Sequence, residues 1–238
     1  EKSYFGEESI EVTNKYGLIA SFYFLNNDLS NSLRYYQKAL TNLNRIYDSD
    51  NHIDFLSIYL GLAKIYLIKG DFDKAQNLLE KSDDIEKEFI NYTAQNIPSD
   101  NRLLMLSNFW ETKELLYNFA ISFKEGKNLA LLNLLHSKGI LADLEYNQGL
   151  IINSSEAIQS INSRLKELIR LTSNVKLDNS KRVKLLKEKQ DLEVTLYTKL
   201  PLLKSKTISI EEVASQLEKD SALIEFVKFF RRDLTTHP

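Results

Sequence analysis

The chain repeats itself. Residues 16–23 (YGLIASFY) return 43 positions later as residues 59–66 (YLGLAKIY). A polar turn follows each copy, Asn26-Asn27-Asp28-Leu29 in the first and Lys69-Gly70-Asp71-Phe72 in the second, and a second helical stretch follows each turn, residues 32–39 and 75–82. A helical unit of this size cannot bury its apolar face alone, so the repeat constrains the fold to helical hairpins stacked on their neighbours. Seven Gly and three Pro in 238 residues leave little punctuation, which suits long helices with short connections.

The residue types at each position fit that reading. Ala20 and Ala63 are small where the first helix must approach its partner, and Ser32 and Ala75 are the matching small residues on the second. Tyr23 and Tyr66 fill the space between, opposite Tyr36 and Leu79. Gly70 relieves the backbone at the turn, and Asp71 is placed as an N-cap. Asn27 stands where the second copy has Gly, a mild departure because Asn tolerates left-handed backbone.

This pattern resembles the tetratricopeptide repeat (TPR), in a long variety of about 42 residues. Residues 59–82 meet it in full, and Phe5-Gly6-Glu7-Glu8 resembles the tail of an earlier repeat. The resemblance implies a groove lined by the first helix of each pair, with Asn14, Ser21 and Phe24 from one repeat and Ser57, Lys64 and Leu67 from the next. It implies a protein or peptide partner in that groove. The mixture lacks the basic clamp that some TPRs use for carboxylates, so a longer or more apolar ligand is expected; the alternative is a groove merely solvated or filled by the chain's own later helices.

Past residue 90 the repeat decays. Residues 102–123 are apolar at helical spacing (Leu103, Leu106, Trp110, Leu115, Leu116, Phe119), and so are residues 128–146 (Leu129, Leu132, Leu135, Ile140, Leu141, Leu144). Ile158, Ile161, Leu165, Leu168, Thr172 and Val175 then form a heptad seam. After a turn at Asp178-Asn179-Ser180, a second helix carries Leu185, Leu192 and Leu196, giving an antiparallel hairpin. Residues 164–206 hold 12 Lys and Arg against 5 Asp and Glu. Such a stripe can follow a phosphate backbone, but only Tyr197 is interleaved for base stacking. A solvated face, or one docked on acidic residues of the same chain, is favoured over nucleic acid. Ser209-Ile-Glu-Glu212 is a capping box. Residues 222–230 (ALIEFVKFF) read as a strand whose partners the chain does not supply.

The order of these parts resembles the region preceding and entering the CHAT domain, the caspase-like, TPR-associated peptidase module of bacteria. Lys138-Gly139 in an apolar helix and residues 221–226 (SALIEF) carry that likeness. It implies a segment of a longer protein, truncated before the His and Cys of a cysteine peptidase, with this chain as a non-catalytic interaction and regulatory part. A free-standing TPR adaptor is the alternative. The expected fold class is all-α: a TPR α-solenoid of helical hairpins, then a long antiparallel coiled-coil hairpin and a short terminal α/β element. Residues 1–92 are read as TPR repeats and 93–150 as degenerate TPR-like helices capping the solenoid. Residues 151–206 form the basic hairpin linker, and 207–238 begin an incomplete CHAT-like domain missing its catalytic part.

Several chemistries are excluded or unsupported. Cysteine is absent, so there is no disulfide or thiol nucleophile, and His52, His136 and His237 have no thiol to activate. Asp83, Asp84, Glu86 and Glu88 cluster without calcium-loop spacing and read as solvated residues past a helix end. No catalytic residue, metal site or cofactor is called for. No apolar run reaches the roughly 18 residues of a membrane helix, so no membrane partner is expected, and the absence of cysteine suits a cytoplasmic setting.

Overall fold

A computed structural model describes residues 9–94, 97–107, 109–152, 156–173, 177–198 and 208–234. Phe5 to Glu8, Val175, Pro201 and the residues from Thr235 on lie outside the described residues, as do the side chains of Lys138, Gly139, Leu103, Leu106, Ile140, Leu141, Leu144 and Tyr197. The fold is all-α. Ten α-helices occur among the described residues: α1 (Ile10–Leu25), α2 (Leu29–Ile46), α3 (Leu56–Ile68), α4 (Phe72–Ala94), α5 (Ser99–Ser107), α6 (Trp110–Ser122), α7 (Lys127–Ile152), α8 (Glu156–Thr172), α9 (Asn179–Thr198) and α10 (Ile210–Gln216). None is long and apolar enough to cross a membrane. The chain forms two compact units. The first holds residues 1–88, 109–134 and 209–238, and the second holds 89–108 and 135–208.

In the first unit the two repeat turns are built alike. Asn27 (φ +61°) and Gly70 (φ +72°) both occupy the left-handed region. In each turn the next residue's N–H reaches back five positions, Asp28 to the Tyr23 carbonyl and Asp71 to the Tyr66 carbonyl, both at 2.9 Å. Asn27 N–H bonds the Phe24 carbonyl at 3.0 Å and Gly70 N–H the Leu67 carbonyl at 3.1 Å. These pairs of bonds close the first helix in a Schellman motif. The aspartates then start the second helix, the Asp28 carboxylate accepting from the Asn31 N–H at 2.9 Å and Asp71 from Lys74 N–H at 3.4 Å.

Small residues sit where the helices cross: Ala20, Ala39, Ala63 and Ala75 are fully buried. Ser32 is buried too, and its hydroxyl donates to the Ala20 carbonyl at 2.8 Å, tying α2 to α1. Tyr36 and Leu79 are core residues as expected. Tyr23 and Tyr66 are only half-buried, Tyr23 stacking on Tyr35 at 5.6 Å, and the wholly enclosed tyrosine of the second repeat is Tyr59.

Three sequence expectations are corrected here. The acidic cluster is not a solvated stretch past a helix end, because α4 continues unbroken to Ala94. Asp83 and Glu86 therefore fall on the same face as Ala75, Leu79 and Ser82 and are 1% and 2% exposed. Trp110 is no stripe residue: α6 starts there and the ring stands 55% exposed. Residues 222–230 form no strand, since among the described residues no neighbouring strand offers a ladder; the capped helix α10, with its Ser209–Glu212 box complete, leads into extended chain.

The second unit contains the expected antiparallel hairpin of α8 and α9, its seam made of Ile158, Leu165 and Leu196 with Ile161 and Leu192. Part of its positive charge is used internally. Arg164 pairs with Glu188 at 2.7 Å, and Lys189, 7% exposed, pairs with Asp100 of α5 at 2.7 Å. The seam is thin, and a stability contrast follows. Leu79→Ala, at a wholly enclosed site, is expected to cost about 3–5 kcal/mol. Leu185→Ala, at a half-buried site, should cost about 1 kcal/mol. Urea denaturation of both variants checks this, and equal losses would refute the contrast.

Candidate functional site

A groove of about 480 Å³ opens along α1, α3 and α6. Ser21 and Phe24 line it from α1, and Lys64 and Leu67 from α3. Four of the six residues expected there thus meet in one place. Asn14 and Ser57 do not, and both are exposed. Each lies seven residues before a lining residue, Ser21 or Lys64, hence two turns or roughly 10 Å back along its helix. The groove occupies only the C-terminal halves of α1 and α3.

The far wall comes from α6, with Glu111, Glu114 and Asn118 at helical spacing. Lys64 is neutralised by an ion pair with Glu111. Glu114 of the same wall is 6% exposed, with one carboxylate oxygen buried and without a protein partner. At the near wall the Ser21 and Tyr36 hydroxyls share a hydrogen bond of 2.9 Å, and burial pushes the Tyr36 phenol up from its usual range.

Residues 232–234 close the groove from the C-terminal segment. Asn118 is fully buried and engages this segment with both ends of its carboxamide. Its NH2 donates to the Phe230 carbonyl at 2.9 Å, and its oxygen accepts from the Arg232 N–H at 2.6 Å. Asn118 therefore reads main chain, and requires that chain to be extended. The Arg232 guanidinium pairs with Glu114 at 3.1 Å and stands 6.0 Å over the Trp110 ring. Phe229 packs 5.5 Å from Tyr117, and Leu234 is buried in the core cluster shared by α3, α4, α6 and α7. Sequence reasoning missed Glu111, Glu114, Asn118 and the tail. The polar residues at 111, 114 and 118 share one face of α6, which was the available signal.

Residues 11–85 match the tetratricopeptide repeat. That stretch runs from α1 into α4. Helix α6, which forms the far wall of the groove, lies beyond the matched residues. No curated protein and no solved structure matches the chain. TPRs generally mediate protein–protein interaction.

Proposed function

We propose that this chain is a protein-binding TPR module whose groove takes an extended peptide segment of its partner, and that it acts in the cytoplasm to scaffold and regulate a CHAT-type, caspase-like peptidase while carrying no catalysis of its own. What supports the binding mode is Asn118, whose two bonds to one stretch of main chain are sequence-independent recognition of an extended peptide. The peptidase context rests on the order of parts in the sequence, from TPR hairpins through the α8–α9 hairpin to the capped helix α10 and residues 221–226.

The test mixes the purified chain with a CHAT peptidase domain encoded in the same genome and follows hydrolysis of a fluorogenic peptide. The expected result is a change of at least about fivefold in the peptidase rate, a coupling on the order of 1 kcal/mol. Lys64→Glu, which places like charge beside Glu111, should abolish that change without affecting the peptidase alone. A rate indifferent to the chain, or equally altered by the Lys64→Glu chain, would refute the regulatory role.

A further inference from the structure

Resting on the groove's role as a peptide site, we infer that its ligand is an extended basic peptide with an aromatic residue three positions before an arginine and a leucine two positions after it, and that residues 229–234 are the chain's own competing occupant. The occupant is seated in the manner of a ligand. Its backbone is held by Asn118 at two points, and its side chains enter at Phe229, Arg232 and Leu234. Between these anchors Phe230 points away and is 78% exposed. The groove supplies a matching feature for each: the Tyr117 ring for the aromatic, the Glu114 carboxylate and Trp110 face for the arginine, and the Leu60–Leu115–Leu116 cluster for the leucine.

Charge decides the polarity of the ligand. Lys64 is already neutralised by Glu111, whereas Glu114 is a buried carboxylate with one oxygen on Arg232 and the other without a protein partner. A buried charge in that state favours a cationic residue strongly and penalises a neutral one. The occupant itself is weakly anchored upstream. Ile224 and Phe226 are 71% and 86% exposed, and no ladder holds residues 222–228. An arriving peptide with the same pattern therefore competes for Asn118 and Glu114 against a segment whose release frees little other structure.

The experiment uses the full chain and a fluorescein-labelled decapeptide copying residues 225–234, read by anisotropy. In the wild-type chain the resident segment lowers the apparent affinity by the fraction of molecules in which the groove is open. Phe229→Ala with Arg232→Ala in the full chain should tighten binding of the labelled peptide at least about tenfold. Adding Glu114→Gln to that background should weaken it again at least about tenfold, and a peptide carrying Arg232→Ala should lose the same factor. In the Glu114→Gln protein that peptide substitution should then have little effect, a cycle that a merely misfolded variant cannot mimic. Equal binding by wild-type and tail-substituted chains would overturn the resident occupant alone. A labelled peptide that binds no variant would overturn the peptide groove itself.

Discussion

Gly61→Val is expected to destabilise the chain by about 2–4 kcal/mol, although Gly is the poorer helix former. Gly61 lies mid-way along α3, where the Tyr36 ring of α2 crosses it. A Cβ at Gly61 would stand 2.2 Å from Tyr36 Cζ and 2.5 Å from its hydroxyl oxygen. The ring cannot simply swing aside, because it is 6% exposed and its hydroxyl is hydrogen-bonded to Ser21. Overpacking therefore outweighs the gain of up to about 1 kcal/mol from replacing a helical glycine. Tyr36→Ala alone should cost about 3–5 kcal/mol by leaving a cavity. The double variant should cost less than the two losses added, with a coupling of at least about 1 kcal/mol, since each substitution relieves the other. Urea denaturation of the four proteins measures the cycle, and additive losses would show that Gly61 and Tyr36 do not share that space.

Much of this was legible in the repeat, for a physical reason. Positions such as Ala20, Ala63 and Gly70 admit few side chains, so their identity reports backbone geometry directly. Asn27 looked like a departure and is an equivalent: it adopts the left-handed conformation that Gly70 has, while the small residue Ser32 also spends its hydroxyl on a carbonyl of the facing helix. The groove was legible as a face of α1 and α3, but not in extent. Its length depends on α6, where the regular repeat spacing is lost, and on a tail more than a hundred residues further along the chain. Local spacing carries no information on such a contact. The strand expected at 222–230 shows the converse limit. Its β-propensity is real, yet a ladder needs a second strand, and side-chain anchors at Phe229 and Leu234 hold the end of the segment instead. In the basic hairpin, composition gave a surplus of charge but could not show that Lys189 is buried against Asp100.

The acidic pair enclosed by α4, α6 and α7 should make the chain lose stability as pH rises from about 4.5 to about 8. Burial is the main reason that the Glu86 carboxyl is pushed up from 4.5 to about 8, and the Asp83 carboxylate three residues earlier adds to it. A hydrogen bond with Thr112 and the positive charges of Lys113 and Lys87 oppose the shift without cancelling it. Asp83 is itself held in place beside Glu86 by Asn133 of α7 at 2.6 Å and by Lys87. The Tyr117 phenol facing the pair is pushed up to about 12, by burial first and then by Asp83 and Glu86. A carboxyl whose folded pKa lies above its unfolded value binds a proton more tightly when folded. Its stabilising contribution is complete below about 4.5 and is lost as pH climbs through about 8, at up to about 1.4 kcal/mol per pH unit. The full loss is about 5 kcal/mol as an upper bound, because water reaching an opened helix crossing would relieve the buried charge. Glu86→Gln keeps the shape and the neutral form at every pH. Urea denaturation at pH 5, 7 and 9 should find the variant close to wild type at pH 5 and ahead of it by several kcal/mol at pH 9. A difference between the two proteins that stays constant across this range would mean that Glu86 carries its charge inside the fold at neutral pH, and that Lys87 and Lys113, rather than protonation, make its burial tolerable.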